Sequence, residues 1–215
     1  MLALTRELCM SKSTGFSSGA TLLSAAALAI VIGGMALNAA AQSVAPTASG
    51  GWLVDAARNS ETEAARVFIA HGADVDHFRS GDGTPLIVAA AKGDIAMVRL
   101  LLEQDANVNK PAAGDGNPLI AAAAHGHTEV VDYLIAQGAD VNAIVVDDET
   151  ALINAAREGH LETVRHLVAR GADVNLAVRV DLRSGGTELR SPLSQAHRNR
   201  HHDVSAFLIS QGARR

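Results

Sequence analysis

Histidine is the residue type in this chain with the greatest capacity for chemistry, since nine histidines occur among 215 residues. The densest group comprises His197, His201, His202 and Asp203, and imidazole and carboxylate groups of this kind bind zinc. His197 and His201 are four residues apart, but a turn is expected between them, so helical spacing does not bring them to one face. We therefore predict a solvated cluster and no metal site, with metal binding as the alternative.

Motifs of enzyme catalysis are absent from the sequence. It contains no H-E-x-x-H motif, no nucleophile elbow and no phosphate-binding loop, and Ser184-Gly185-Gly186 is an isolated flexible stretch. Cys9 is the single cysteine and precedes a long apolar run, so a chain processed after that run contains no thiol. The sequence therefore predicts a protein with no enzymatic activity and no cofactor.

The first 41 residues have the pattern of an export signal. Basic residues precede an uncharged run from residue 20 to residue 41, which ends in Ala39-Ala40-Ala41, and residues 42–50 form a polar linker. We predict cleavage between Ala41 and Gln42 and a periplasmic protein. The alternative is an uncleaved anchor that holds the protein at the inner membrane facing the periplasm, because about 20 apolar residues span a bilayer.

The elements that must position any functional residue repeat with a period of 33. Asp82-Gly83-Thr84-Pro85-Leu86 recurs as Asp115-Gly116-Asn117-Pro118-Leu119 and as Asp148-Glu149-Thr150-Ala151-Leu152. The glycines that keep the same interval are Gly93, Gly126 and Gly159. A fixed period of this length indicates stacked structural units, each with too little core of its own to be stable alone.

Each unit is predicted to contain two short helices. Thr84-Pro85 supplies a capping side chain and a proline for the first turn of the first helix. Gly93 ends that helix, and the second helix ends at a left-handed residue, which is Gly138 or Gly171 in two of the units. Asp105 takes this place in another unit. We predict a structural role for the histidines at the start of the second helices, which are His127, His160 and His201.

These segments resemble the ankyrin family, whose repeat reads D-G-x-T-P-L-H-x-A-A, and in particular its bacterial, exported members. The resemblance implies an all-α repeat solenoid of helix-turn-helix units with protruding hairpin-like loops over residues 51–215. Five units including degenerate caps are expected, at about 51–80, 81–113, 114–146, 147–179 and 180–215. Where the family has the histidine of P-L-H, this chain has other residues and we expect apolar packing; they are Ile87, Ile120, Ile153 and Ser194.

Charge is distributed unevenly along the chain. Residues 42–176 contain nine basic and 19 acidic side chains, whereas residues 177–215 contain seven basic and three acidic ones. The acidic body favours a partner with a basic surface and disfavours nucleic acid. The alternative is that the acidic side chains only make the loops soluble.

The resemblance implies a monomeric protein-binding module that uses its concave side. We expect a periplasmic scaffold, accessory or immunity-type protein; the alternative is a membrane-tethered module that regulates a neighbouring membrane protein or protease. The run from residue 144 to residue 146 is predicted to be an exposed apolar centre of the site, with packing between adjacent loops as the alternative. The predicted partner-binding residues are Phe78, Arg79, Val88, Lys92, Pro111, His125, Ile144, Val145, Val146, Asn154, Arg157, Glu158, Val178 and Gln195.

Overall fold

The computed structural model describes residues 50–112, 114, 116–145, 149–181 and 186–214. Within them, no helix is long and apolar enough to cross a membrane. The predicted signal or anchor and the Ala41–Gln42 junction lie outside these residues.

Five helix pairs and one hairpin make up the part of the chain that the structure describes. The first helices of the pairs are α1 (Gly51–Asn59), α3 (Pro85–Lys92), α5 (Pro118–Ala124), α7 (Ala151–Glu158) and α9 (Pro192–Arg198). The second helices are α2 (Thr62–Ala70), α4 (Ile95–Glu103), α6 (Thr128–Ala136), α8 (Leu161–Ala169) and α10 (His202–Ser210). The hairpin consists of β1 (Val178–Asp181) and β2 (Thr187–Arg190).

A capping side chain begins four of the first helices. The side chain of Asn117 accepts a hydrogen bond from the N–H of Ile120 at 2.8 Å, and Pro118 follows in the first turn of α5. This side chain satisfies one of the N–H groups that a helix start leaves without an intrahelical partner. The side chains that act in the same way before α3, α7 and α9 are those of Thr84, Thr150 and Ser191.

Alanine allows neighbouring first helices to pack closely. Ala89 and Ala90 in α3 are fully buried, as are the equivalent alanines of α5 and α7, where α3 packs against α5 and α5 against α7. The second helices stack on one another in the same order. Each pair therefore completes its core with its neighbours, and the predicted all-α repeat solenoid is confirmed. Apolar packing at the family's histidine position is also found, since Ile87, Ile120 and Ile153 are buried.

A histidine before each of α6, α8 and α10 contacts the preceding unit. Nε2 of His160 donates to the carbonyl of Ala124 at 3.1 Å, which requires the proton on Nε2 because a carbonyl only accepts. Its ring lies beside Gly126, where an added Cβ would approach the ring to 2.7 Å. His127 and His201 make equivalent contacts one unit earlier and one unit later. The three histidines thus have the structural role that was predicted.

Left-handed residues follow the second helices, as the repeat predicts. Gly138 and Gly171 have φ of 91° and 93°, and Asp105 in the equivalent position has φ of 63°. Glycine adopts this conformation without the steric cost that a Cβ imposes, and Asp is one of the few other residues that do so routinely.

Asparagine side chains hold successive loops in register. Nδ2 of Asn142 donates to the carbonyl of Gly171 at 3.2 Å, and its Oδ1 accepts from the N–H of Asp173 at 2.9 Å. Asn109 and Asn175 make the same two contacts with the units that follow them. Because each amide uses both its donor and its acceptor, the loops stack with one fixed offset.

The loop before α9 contains the predicted insertion and forms the hairpin. Val178 pairs with Arg190, and Val180 pairs with Glu188. Residues directly opposite in an antiparallel pair lie on the same face. This face is turned to the protein, since Val178 is buried, whereas Leu189 on the other face is 65% exposed.

Candidate protein-binding pocket

A pocket of about 530 Å³ is formed by four of the first helices, α1, α3, α5 and α7, with the loops before α3 and α5. This volume falls within the range of roughly 300 to 1,000 Å³ that is usual for ligand sites. The loops contribute Gly81, Asp82 and Gly114. The first helices contribute the floor and both ends.

The floor of the pocket is apolar and built from small side chains. Val88 and Ala91 of α3 lie one repeat period before Ala121 and Ala124 of α5, and all four residues line the pocket. The equivalent positions in the flanking helices are polar: they are Asp55 and Arg58 in α1 and Asn154 and Arg157 in α7. The apolar floor is therefore confined to the two middle helices, with a charged group at each end.

An ion-pair network closes the α1 end of the pocket. Arg79 contacts Asp55 at 2.6 Å and Asp82 at 2.5 Å, and Arg58 also pairs with Asp82. The hydrogen bond to Asp55 is the main cause that raises the pKa of Arg79. Burial favours a higher pKa for Asp82, but the contacts with Arg79 and Arg58 outweigh it and lower that pKa. The network fixes the loop before α3 against α1.

A second network lies at the α7 end and includes the hairpin. Glu149 is buried and accepts from Arg157 at 2.9 Å and from Arg190 at 2.6 Å. Glu188 in turn pairs with Arg190 at 2.9 Å and with Arg198 at 2.8 Å. Arg198 and then Arg190 lower the pKa of Glu188, and Glu149 and then Glu188 raise the pKa of Arg190. The hairpin is thereby joined to both α7 and α9.

Lys92 and His125 follow each other along the edge of the floor, at equivalent positions near the ends of α3 and α5. The ammonium group of Lys92 donates to the carbonyl of Arg58 at the end of α1. Nδ1 of His125 lies 3.0 Å from the carbonyl of Ala121, and its ring stacks parallel to that of His127. Among the described residues, no carboxylate is in ion-pair contact with Lys92.

Five of the predicted partner-binding residues line this pocket. Asn154 is one of them, but it does not face outward as predicted, because only 2% of it is exposed. Its side chain donates to the carbonyl of Thr150 and accepts from Arg157, so it supports the guanidinium group. The other four are Val88, Lys92, His125 and Arg157.

The remaining predicted residues that are accessible lie outside the pocket. Phe78, Pro111 and Ile144 are equivalent positions of successive loops, and all three are exposed. Arg79 is engaged in the network at the α1 end, and Glu158 is exposed and pairs with Arg157 at 3.0 Å.

Three predicted residues are buried, which corrects the sequence-based surface. Val145 and Val178 are only 7% and 9% exposed, and Gln195 is 2% exposed. Prediction of an exposed apolar centre was wrong for Val145, because this side of the loop packs against the core, as in the alternative. An Asp at position 145 is therefore expected to destabilise the fold instead of removing a surface contact. Val146 lies outside the described residues.

Sequence reasoning missed several residues that shape the pocket. Arg58, Ala91 and Ala124 occupy the same repeat position as Arg157, so the period of 33 could have placed them beside it. Glu149 was read as a loop carboxylate, whereas its burial and its two arginine partners depend on the hairpin. No local pattern in the sequence indicates those contacts.

The structure also places the histidine cluster that was considered as a metal site. His197 and His202 are exposed, and Nε2 of His201 donates to the carbonyl of Arg157 at 2.9 Å. Across the described ranges, no group of three or more His, Cys, Asp or Glu residues is arranged to hold a metal ion.

The stacked helix pairs and the pocket across them define a repeat-built scaffold with a recognition surface. A family model for ankyrin repeats matches residues 52–112 and 110–178, which is more than half of the chain. The chain therefore belongs to the ankyrin-repeat family. Ankyrin repeats generally mediate protein–protein interaction, and proteins built from them are typically non-catalytic. A search of curated protein sequences finds no match.

Proposed function

We propose that the chain is a non-catalytic protein-binding module that holds a partner protein in this pocket. The observation that carries the proposal is the apolar floor of α3 and α5 between two charged ends. Protein interfaces have this composition, with an apolar centre that loses its water and a polar rim.

We further propose that the module acts in the periplasm as a scaffold, accessory or immunity-type protein. The uncharged run that ends at Ala39-Ala40-Ala41 supports export of the domain. A second candidate is a module tethered to the inner membrane that regulates a neighbouring membrane protein or protease. The same run favours it, since the run is long enough to remain as an anchor.

The proposal is tested by photo-crosslinking in the cells that express the full chain. A photo-reactive amino acid in place of Val88 lies in the pocket, and one in place of Arg66 on α2 is the control. We expect one protein to be linked from position 88 and not from position 66. Equal labelling from both positions, or none from position 88, would contradict the pocket as the binding site.

A further inference from the structure

We propose that the pocket selects a segment of the partner in which an aliphatic side chain lies next to Asp or Glu; this inference rests on the proposed function. It commits to an acidic segment, although the domain as a whole is acidic. The charges that face the pocket carry the argument.

Cations at the pocket are more accessible than the carboxylates that pair with them. The side chain of Arg58 is 46% exposed, against 23% for its partner Asp82. At the other end, the side chain of Arg157 is 33% exposed, whereas that of Glu149 is only 3% exposed. An incoming segment therefore meets guanidinium groups first, with the carboxylates beneath them.

Lys92 adds a positive charge between the two ends. An ammonium group has three N–H donors, and a contact with the carbonyl of Arg58 occupies one of them. No carboxylate among the described residues pairs with it, so it is available to a carboxylate of the partner. Of the charged residues that line the described pocket, three are cationic, namely Arg58, Lys92 and Arg157, and one is anionic, namely Asp82.

The floor explains why an aliphatic side chain must accompany the carboxylate. Val88, Ala91 and Ala121 offer an apolar surface with no side chain that could satisfy a buried polar group. Gly81 and Gly114 stand in the loops at the pocket and leave room for an extended backbone. An aliphatic group on the floor and a carboxylate beside Lys92 would together fill both environments.

The experiment begins with a random twelve-residue peptide library selected on the immobilised full chain. We expect the selected peptides to combine an aliphatic residue with neighbouring Asp or Glu. In fluorescence polarisation, Lys92→Glu is expected to weaken a selected peptide by about tenfold or more, as lost charge-assisted contacts do. The control is Arg66→Glu, an exposed charge reversal on α2, and it should change the affinity by less than about twofold.

Three outcomes separate this inference from the proposed function. Selected peptides that lose affinity with Val88→Arg but tolerate Lys92→Glu, or that are enriched in Lys and Arg, overturn the acidic segment and leave the pocket as a binding site. Peptides that bind equally well to Val88→Arg and Lys92→Glu contradict the pocket itself. Affinity that falls with Lys92→Glu, and when the peptide's Asp or Glu is changed to Asn or Gln, supports the inference, provided that the melting temperature of the variant is unchanged.

Discussion

At the scale of single residues, the repeated glycine before each second helix serves both the backbone and the next unit. Ser60 and Arg200 occupy the equivalent position in the first and last units with φ of 59° and 65°, so other residues can adopt this conformation. Beside Ser60, the next unit has Asp94 where other units have a histidine. Glycine is thus found where a histidine ring packs against it.

These two requirements can be separated by substitution. Gly126 and Gly138 both have positive φ, but an added Cβ would meet the ring of His160 at the first and no atom within 4 Å at the second. We expect Gly138→Ala to lower the free energy of unfolding by about 1 kcal/mol through backbone strain. Gly126→Ala should lower it by about 2 to 4 kcal/mol, because the ring is displaced and its hydrogen bond is lost. Chemical denaturation measures both.

A double-mutant cycle provides the control for this prediction. His160→Ala should cost less in the Gly126→Ala background than in the unchanged chain, because residues in contact are energetically coupled. Equal costs in the two backgrounds, or equal effects of the two glycine substitutions, would contradict the proposed role of the ring.

At the scale of elements, the hairpin is attached to the helices through charged groups on its inner face. Glu188 contacts Arg198 of α9, and Arg190 contacts the buried Glu149 before α7. Only Val178 of the hairpin is buried among apolar residues. The position of the hairpin should therefore depend on the protonation of carboxylates more than that of the stacked helices does.

This dependence predicts loss of the hairpin contacts in acid. The pKa of Glu188 is lowered in the folded protein, so its contribution to stability is present above the ordinary carboxyl pKa of about 4 and is lost as the pH falls through the lowered value. We expect the NMR signals of Leu189 to be constant from about pH 7 to pH 5 and to move toward random-coil values below about pH 4. Glu188→Gln should show the altered signals already at pH 7; a variant that titrates like the unchanged chain would argue against this contact.

The sequence predicts the helices well and the loops poorly, for a physical reason. Thr84-Pro85, the alanines after Leu86 and the glycines at fixed intervals each act within one unit or on an identical neighbour, so the period reveals them. Val145 could not be placed in this way, because an apolar loop residue can face either the solvent or the core. The contacts of Glu149 join residues up to 41 positions apart across an insertion that has no counterpart in other units.

At the scale of the whole molecule, net charge and local charge differ in sign. Residues 42–176 are acidic overall, and from this sum a basic partner was predicted. Exposed carboxylates such as those of Asp74, Asp140 and Asp173 belong to the turns after the second helices. Cations predominate in the lining of the pocket. A basic partner remains a prediction for the surface as a whole, while the pocket favours a carboxylate.

The mature chain is predicted to begin at Gln42. The apolar run ends at the small residues Ala39-Ala40-Ala41, which a signal peptidase accepts, and a polar linker follows. Intact mass spectrometry of the exported protein should therefore give a chain that lacks the first 41 residues. Recovery of the complete chain from the membrane fraction would support the tethered alternative instead.

Each contact between a histidine and a glycine has a direction, because the ring belongs to the later unit and the glycine to the earlier one. The segment from residue 114 to residue 146 carries both halves, with His127 for the unit before it and Gly126 for the unit after it. A tandem copy of this segment would meet its neighbours through contacts that already exist. At the two ends, Glu61 and Arg200 replace the histidine and the glycine. The array is therefore open to lengthening by internal duplication in steps of 33 residues, and closed to addition at either end.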